Sequence, residues 1–422
     1  MNAFTVVFVV AVGLSGLLQA WLARRHMAHI RARRNQVPDA FRDSIPLQSH
    51  QKAADYTLAR TRLGLLELGY GLALLLGWTL GGGLALLNRL WLGAGLGPLA
   101  TGVGVMTSAF LLMGLLDLPF SAYQTFVLEQ RFGFNRTRIG TFVADLFKEA
   151  LLLMLIGIPL AALVLWLMAG AGSLWWVYVW AVWMGFSLLM MWAYPAFIAP
   201  LFNRFTPLQD EALKNRIQTL LAKCGFRSQG IFVIDGSRRS GHGNAYFSGL
   251  GRNKRIVFFD TLLSSLEPNE IEAVLAHELG HFRLKHVQKR MVSMAIFSAA
   301  GLALLAWLMG QPWFYTGLGV ATPSTYMALL LFMLVAPTVG VFLQPVFSWL
   351  SRKHEFEADS YAASQADPKD LISALVKLYR ENASTLTPDP LYSAFHDSHP
   401  PAPVRVAHLA GANHNTPSEV MP

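Results

Sequence analysis

Seven long apolar blocks constrain the fold of this 422-residue chain more than any other feature. A helix needs roughly 20 apolar residues to cross a hydrocarbon core about 30 Å thick. The blocks lie near residues 3–22, 64–88, 98–118, 149–169, 174–194, 292–310 and 325–350. The chain is 54% hydrophobic and 14% charged, whereas soluble domains are about 25% charged. The sequence therefore predicts a mainly α, polytopic membrane protein with seven transmembrane helices.

Basic residues are concentrated beside the predicted spans, and this distribution predicts the topology. The first block has no basic residue before it and a basic cluster directly after it, so we interpret it as a retained span rather than a signal peptide. Another cluster separates spans three and four, whereas the loop between spans six and seven has no charge. This asymmetry predicts an outside N terminus and cytoplasmic polar segments. It also argues that the net charge of +9 does not reflect nucleic-acid binding.

Two polar segments lie outside the spans, at 196–291 and 351–422, with spans at 1–195 and 292–350. The first polar segment contains an amphipathic helical pattern and the β-like runs GIFVID and KRIVFFD around a glycine-rich turn, which predicts a small α+β cytoplasmic domain. A helical pattern starting at Pro268 runs without a breaker into the sixth span. The seventh span likewise continues into the second polar segment. Because a short loop joins spans six and seven, the two helical extensions should emerge side by side.

The pattern HELGH at 277–281 carries the strongest chemical signal. Helical residues at i and i+4 share a face, so His277 and His281 can bind one Zn²⁺ ion. Glu278 can then reach the open coordination position and act as general base on a water whose pKa the metal lowers. The alternative is chance, which we expect in on the order of one chain in a hundred. The small and apolar neighbours of the pattern make chance rarer still.

A catalytic zinc site needs a third protein ligand and leaves its fourth position for water. The segment EFEAD at 355–359 is the best candidate, because Glu355 and Asp359 share a helical face whereas Glu357 points away. One of the two can bind the metal and the other can orient a ligand histidine. Alone, this segment would suit an acidic, solvated helix start. The expected proximity of the two helical extensions favours a metal ligand.

Two further segments offer weaker signals. His399 and Arg405, in FHDSHPPAPVRVAHL, could stabilise an oxyanion, although single loop residues of these types are more often surface features. The run GNAYF at 243–247 could be a strand whose edge pairs with an extended peptide, or simply a strand.

Taken together, these motifs resemble the type I CAAX prenyl endopeptidases, a family of membrane zinc metalloproteases of the HExxH, gluzincin-like type. The similarity extends in order along nearly the whole chain, which makes it far more specific than the zinc motif alone. Besides HELGH, the matching stretches are LPFSAYQTFVLEQRFGFN (118–135), PLFNRFTPL (200–208), NAYFSGLGRNKRIVFFDTLL (244–263), SRKHEFEAD (351–359) and SHPPAPVR (398–405).

The resemblance implies seven helices around a large intramembrane chamber, with a site for one Zn²⁺ ion per chain at its cytoplasmic side. It implies that Glu355 is the third zinc ligand and that Asp359 supports the site. It also implies that His399 and Arg405 contact the substrate or the oxyanion. The implied peptide-binding edge consists of Asn244, Ala245 and Tyr246.

The sequence thus predicts a membrane-embedded zinc metalloendopeptidase that acts on peptide or protein substrates. Family members in eukaryotes cleave prenylated C-terminal tails. The compact loop between spans six and seven suggests a bacterial inner-membrane protein, for which C-terminal tails and membrane proteins are both open as substrates. One alternative is a quality-control protease that cuts non-prenylated membrane proteins. The other is a transporter with a vestigial metal site, against which we find no paired glycine-broken spans.

Overall fold

A computed structural model describes residues 2–248 and 255–412 of the chain. Its α-helices are α1 Ala3–Arg33, α2 Leu47–Trp78, α3 Gly83–Gly93, α4 Pro98–Tyr123, α5 Gln130–Phe132, α6 Ile139–Leu152, α7 Ile158–Gly170, α8 Trp175–Ala193, α9 Ala199–Phe202, α10 Glu211–Lys223, α11 Asp260–Leu263, α12 Pro268–Arg283, α13 His286–Met309, α14 Pro312–Gly317, α15 Thr325–Gly340, α16 Gln344–Gln365, α17 Pro368–Glu381, α18 Pro390–His396 and α19 Ala402–Ala412. Its strands are β1 Phe205–Pro207, β2 Ile231–Ile234, β3 Ala245–Ser248 and β4 Arg255–Phe259.

Short turns of other helix types extend or join several of these helices. The π-helical turns are Gln124–Glu129, Leu153–Gly157 and Tyr194–Ile198. The 3₁₀ turns are Asp39–Phe41, Gly172–Leu174, Gly236–Arg238 and Val341–Leu343.

The described helices confirm a polytopic, mainly α architecture. Six helical segments are long and apolar enough to cross a membrane: Ala3–Arg33, Pro98–Phe132, Ile139–Gly170, Gly172–Phe202, His286–Met309 and Thr325–Gln365. The bent pair α2 and α3 makes seven if it counts as one span. Large apolar side chains such as Leu17, Phe147 and Trp349 are exposed along these helices, as expected for surfaces that face lipid.

The second predicted span, at 64–88, contains a bend that the sequence analysis did not predict. Helix α2 ends at Trp78, α3 begins at Gly83, and their axes differ by 47°. The three consecutive glycines at 81–83 explain the break, because Gly82 adopts a left-handed conformation (φ +80°) that residues with a Cβ rarely adopt. The buried Thr79 at the end of α2 donates its hydroxyl to the carbonyl oxygen of Leu75, 2.6 Å away.

A cavity of about 810 Å³ lies where the first two spans meet the two polar segments. Its wall includes Gln19 of α1, Tyr56 and Arg60 of α2, Tyr379 of α17 and the loop residue His399. Residues of the membrane spans and of both polar segments therefore line one cavity. The larger intramembrane chamber that the resemblance implies stays a prediction.

The soluble part contains a four-stranded sheet of order β1-β2-β4-β3. Strands β2 and β4 are parallel, and the outer pairs are antiparallel. The predicted runs GIFVID and KRIVFFD form β2 and β4, and GNAYF leads into the edge strand β3. Residues 249–254 of the predicted glycine-rich turn lie outside the described residues. One face of the sheet packs on α12, where Ile256 and Phe258 join the apolar core around Leu275.

Helix α12 forms where the sequence predicted its start. Pro268 occupies the first turn, and the backbone N–H of Glu267 donates to the Glu270 side chain over 2.7 Å. The Glu270 carboxylate also accepts hydrogen bonds from Ser373 and Lys377 of α17. Helix α12 is therefore fixed at its first turn, so the HELGH residues that follow occupy a defined position.

The prediction that this helix continues unbroken into the sixth span was wrong. Helix α12 ends at Arg283 and α13 begins at His286, because Lys285 adopts a left-handed conformation (φ 59°, ψ 34°). Such a conformation costs a residue with a Cβ on the order of 1 kcal/mol. The contacts of the buried His286 with His281 and Glu357 offset this cost.

The seventh span does continue into the second polar segment, through one 3₁₀ turn between α15 and α16. Helices α13 and α15 pack against each other, and α12 packs along α16. The two helical extensions therefore lie side by side, as the short loop between spans six and seven predicted.

Candidate metal centre

Three side chains from α12 and α16 converge beside the cavity: His277, His281 and Glu355. The Nε2 atoms of the two histidines lie 3.3 Å apart. The Glu355 carboxylate approaches both, with Oε2 3.5 Å from Nε2 of His277 and Oε1 3.4 Å from Nε2 of His281. The structure therefore brings together the HELGH pair and the first acidic residue of EFEAD, which are 74 or more residues apart in the sequence.

In the neutral form of each ring, a donating Nδ1 leaves Nε2 as an unprotonated ligand atom. Nδ1 of His277 lies 2.8 Å from Oδ1 of Asp359, and because a carboxylate only accepts, Nδ1 must donate. Nδ1 of His281 is likewise bonded, at 2.9 Å to Nδ1 of His286. Two lone pairs 3.3 Å apart then face a carboxylate. A positive charge, carried by a metal ion or by a proton, stabilises this arrangement.

The donor set fits a tetrahedral metal ion. Ligand atoms about 2.0–2.1 Å from a tetrahedral zinc ion lie roughly 3.3 Å from one another. The observed separations of 3.3 to 3.5 Å match this value. Oε2 of Glu355 is also a buried oxygen without a hydrogen-bond partner among the described residues, which a bound cation would satisfy. His277, His281 and Glu355 are therefore the residues that could hold a metal.

Asp359 and Arg405 lie behind His277 and fix its ring. The Asp359 carboxylate is fully buried and binds the Arg405 guanidinium through both oxygens, with one distance of 2.9 Å. Burial alone lowers the pKa of His277, but the hydrogen bonds to Asp359 and Glu355 outweigh burial and raise the pKa to about 9. The surroundings of His277 thus stabilise positive charge at the position where a metal would bind.

A second chain of contacts lies behind His281. Its partner His286 is bonded through Nε2 to Oε2 of Glu357 at 2.9 Å. The His354 ring stacks on His286, with centroids 4.1 Å apart and planes 13° from parallel. Glu357 points away from the ligand pair, as predicted, but it contacts a histidine that itself contacts His281.

Glu278 and His399 also lie near the three ligand candidates. Glu278 is half-buried on α12, and burial raises its carboxyl pKa, while the nearby His277 and His281 oppose the rise. His399 is exposed at the cavity, and its Nε2 lies 3.4 Å from Oε1 of Glu355. Arg405, by contrast, is 7% exposed, and its Nη1 lies 3.8 Å from Oε2 of Glu355.

The predicted peptide-binding residues lie at one edge of the sheet. Asn244 is exposed directly before β3, and Ala245 and Tyr246 form the first half of that strand. Among the described strands, β3 pairs only with β4, so its other edge faces away from the sheet. Phe247 contacts Phe282 of α12 with ring centroids 5.0 Å apart. The strand is therefore anchored to the helix that carries HELGH.

Gly280 allows the two helices of the site to approach closely. A Cβ at this position would lie 3.0 Å from Cα of Ala358, 3.1 Å from its carbonyl oxygen and 3.2 Å from Cβ of Tyr361. These atoms cannot rotate away, because they belong to the backbone or are fixed to it. Ala358 directly precedes Asp359, so the glycine sets the distance between the HELGH and EFEAD segments.

We expect Gly280→Ala to push α12 and α16 apart, to weaken metal retention and to destabilise the protein by about 1–3 kcal/mol. Gly301→Ala is the matched control, because its new Cβ would make an ordinary contact at 3.7 Å with the Phe332 ring. Thermal unfolding in detergent and metal content by mass spectrometry measure both effects. Equal melting temperatures for the two variants would contradict the close-approach argument.

Sequence reasoning missed His286 as part of the site. The only signal was a third histidine five residues after His281. That spacing places the two on different helical faces unless the helix breaks, and no glycine or proline marked the break at Lys285.

Comparison with known proteins gives matches over nearly the whole chain. The family model "CAAX prenyl protease N-terminal, five membrane helices" matches residues 26–204, and "Peptidase family M48" matches residues 207–413. The chain is similar to CAAX prenyl protease 1 of Saccharomyces cerevisiae, at 34% identity over 89% of this chain and 88% of that protein. It is also similar to the CAAX prenyl protease 1 homolog of Arabidopsis thaliana, at 38% identity over 74% of this chain and 73% of that protein.

A solved structure shares the fold. The crystal structure of S. mikatae Ste24p superposes with a TM-score of 0.90 at 30% sequence identity, covering 97% of this chain and 99% of that one. The two proteins therefore share one fold along nearly their whole length.

Proposed function

The chain belongs to peptidase family M48 and is a membrane-embedded metalloendopeptidase, and on this premise we propose that His277, His281 and Glu355 bind one Zn²⁺ ion. The observation that carries the proposal is the convergence of two histidine Nε2 atoms, 3.3 Å apart, on a carboxylate that has a buried oxygen without a hydrogen-bond partner among the described residues. The transporter alternative is set aside, because the chain is an enzyme.

When bound, the ion supplies Lewis-acid chemistry that lowers the pKa of a water and polarises the scissile carbonyl. Glu278 takes the proton of that water and later returns it to the leaving amine. A general base works best with a pKa near the operating pH, and burial moves the Glu278 pKa upward from the ordinary carboxyl value. The Glu278 side chain thus acts as base and then as acid.

His399 donates to the oxyanion that develops at the attacked carbonyl. Its exposure at the cavity and its position 3.4 Å from Glu355 support this role. Arg405 is tied to Asp359, so it orients His277 through that carboxylate and adds positive charge beside Glu355. The free edge of β3, with Asn244 before it, holds the peptide in an extended conformation.

For the substrate, we propose protein C-terminal tails of the CAAX type, which the names of the relatives from yeast and Arabidopsis specify for those proteins. The cavity of about 810 Å³ has room for such a tail. The quality-control alternative replaces the tail with non-prenylated membrane proteins. The protein is an integral, multi-pass membrane protein. We further propose a bacterial inner-membrane location with the N terminus outside and the metal site on the cytoplasmic side.

A substrate panel tests this function on the purified full-length protein in detergent. We expect a farnesylated CAAX peptide to release a C-terminal fragment, detected by mass spectrometry, at a rate above that of the same peptide without the lipid. A zinc chelator should stop the release and added Zn²⁺ should restore it. Cleavage restricted to unfolded, non-prenylated membrane proteins would replace this proposal with the quality-control function.

A further inference from the structure

We propose that His286 and Glu357 form a hydrogen-bond relay that positions His281 for metal binding. The relay consists of two contacts of 2.9 Å each, from Nδ1 of His281 to Nδ1 of His286 and from Nε2 of His286 to Oε2 of Glu357. Neither His286 nor Glu357 belongs to the ligand group of His277, His281 and Glu355, so both are positioning residues. Asp359 contacts His277 directly, whereas His281 receives the same kind of support through an intervening imidazole.

The direction of each hydrogen bond follows from the residue at the end of the relay. The Glu357 carboxylate can only accept, so Nε2 of His286 carries a proton and donates it. Nδ1 of the neutral His286 ring is then an acceptor, and His281 must donate to it through Nδ1–H. That tautomer of His281 leaves Nε2 free to bind a metal. The relay therefore selects the ring orientation and the tautomer that the metal centre requires.

The same residues, together with His354, also place possible ligand atoms within 4.8 Å of one another, so a second metal ion is the competing interpretation. The ring geometry argues against it. An imidazole binds a metal in the plane of its ring, and two rings with centroids 4.1 Å apart and planes 13° from parallel have no shared point in both planes at bonding distance. The His354 ring instead packs against the face of His286 and makes no hydrogen bond of the relay.

The backbone break at Lys285 gives the relay its geometry. In an unbroken helix, residues five apart lie on different faces, about 140° apart, so His286 could not point back to His281. The left-handed conformation of Lys285 turns the chain so that α13 starts at His286 with its ring buried beside His281. The strained residue thus serves the site.

The inference rests on the proposed role of His281 as a metal ligand. Its test measures the rate at which the purified, zinc-loaded full-length protein loses Zn²⁺ to a chromophoric chelator, with size-exclusion chromatography as the check on folding. We expect His286→Ala to lose zinc about 10–100-fold faster than the unchanged protein, the usual effect of removing a residue that orients a metal ligand. His354→Ala removes a stacking ring but no bond of the relay, so its zinc loss should stay near the original rate.

Two conservative variants distinguish positioning from packing. The side-chain oxygen of His286→Asn can occupy the place of Nδ1 and accept from His281, whereas His286→Gln places its polar group near Nε2 and loses that contact. The relay therefore predicts that His286→Asn loses zinc more slowly than His286→Gln. Simple packing predicts the opposite order, because glutamine is closer to histidine in volume. Visible absorption of the cobalt-substituted variants should show the same ranking through the altered ligand geometry.

These experiments distinguish failure of the relay from failure of the proposed zinc site. If His281→Ala itself retains zinc like the unchanged protein, the metal-site assignment fails. If His281→Ala loses zinc but His286→Ala does not, the relay is excluded and the metal site is retained. The same conclusion follows if His286→Gln retains zinc better than His286→Asn. A second equivalent of zinc that is bound by the unchanged protein and lost in His354→Ala would overturn the relay in favour of a second metal site.

Discussion

Glu278→Gln is expected to lower the rate of peptide hydrolysis by about 10²–10⁴-fold, the usual contribution of a general acid–base residue. Glutamine keeps the shape of the side chain but cannot take a proton. Because the three proposed ligand atoms are unchanged, zinc content should remain at one ion per chain. Single-turnover cleavage of a fluorogenic peptide, together with metal analysis of the same sample, measures both quantities.

Glu272→Gln is the matched control on the same helix. Glu272 pairs with Arg216 at 2.9 Å near the surface and lies away from the metal ligands, so activity should be unchanged. Undiminished cleavage by Glu278→Gln would exclude Glu278 as the base. A loss of zinc in that variant would show instead that the residue helps to hold the metal.

Glu355→Gln is expected to remove the metal and, with it, the activity. The substitution preserves volume but deletes the negative charge that faces the two Nε2 atoms at 3.4 and 3.5 Å. Since residues that only orient ligands already change metal affinity about 10–100-fold, loss of a ligand should weaken zinc binding by more than about 100-fold. Competition titration with a zinc chelator measures the dissociation constant.

For this variant the control is Glu381→Gln at the end of α17, an exposed acid paired with the adjacent Arg380. It makes the same chemical change far from the site and should bind zinc like the unchanged protein. Equal zinc affinity for Glu355→Gln and Glu381→Gln would exclude Glu355 as a ligand. Full activity restored by excess zinc would show weakened binding with intact chemistry.

The sequence predicted the spans well because each spanning helix needs about 20 consecutive apolar residues, and such a run is visible in the local composition. It failed where backbone geometry depends on tertiary contacts. The triple glycine at 81–83 could have indicated the break after α2, since glycine readily adopts positive φ. Nothing local distinguishes Lys285 from an ordinary helical residue, because the contacts that compensate its strain come from His286 and Glu357.

In the candidate site, too, some features could be predicted from the sequence, whereas others depend on tertiary contacts. That His277 and His281 share one helical face follows from helical periodicity. That Glu355 and Asp359 lie close to these histidines follows from the antiparallel arrangement of two spans. In contrast, the two hydrogen bonds from Arg405 to Asp359 join segments whose relative position cannot be predicted from sequence periodicity. The orientation of each imidazole likewise depends on partners that only the folded chain brings together.

The donor atoms of the metal centre belong to two segments separated by more than seventy residues and by a pair of membrane spans. A cation held by both segments acts as a reversible cross-link between them. Because the unfolded chain has no preformed equivalent of this site, the free energy of metal binding adds to the free energy of folding. At a free metal concentration a thousandfold above the dissociation constant, that addition amounts to about 4 kcal/mol. With the proposed ligands, the supply of metal would therefore set how tightly the HELGH and EFEAD helices are joined as well as the activity.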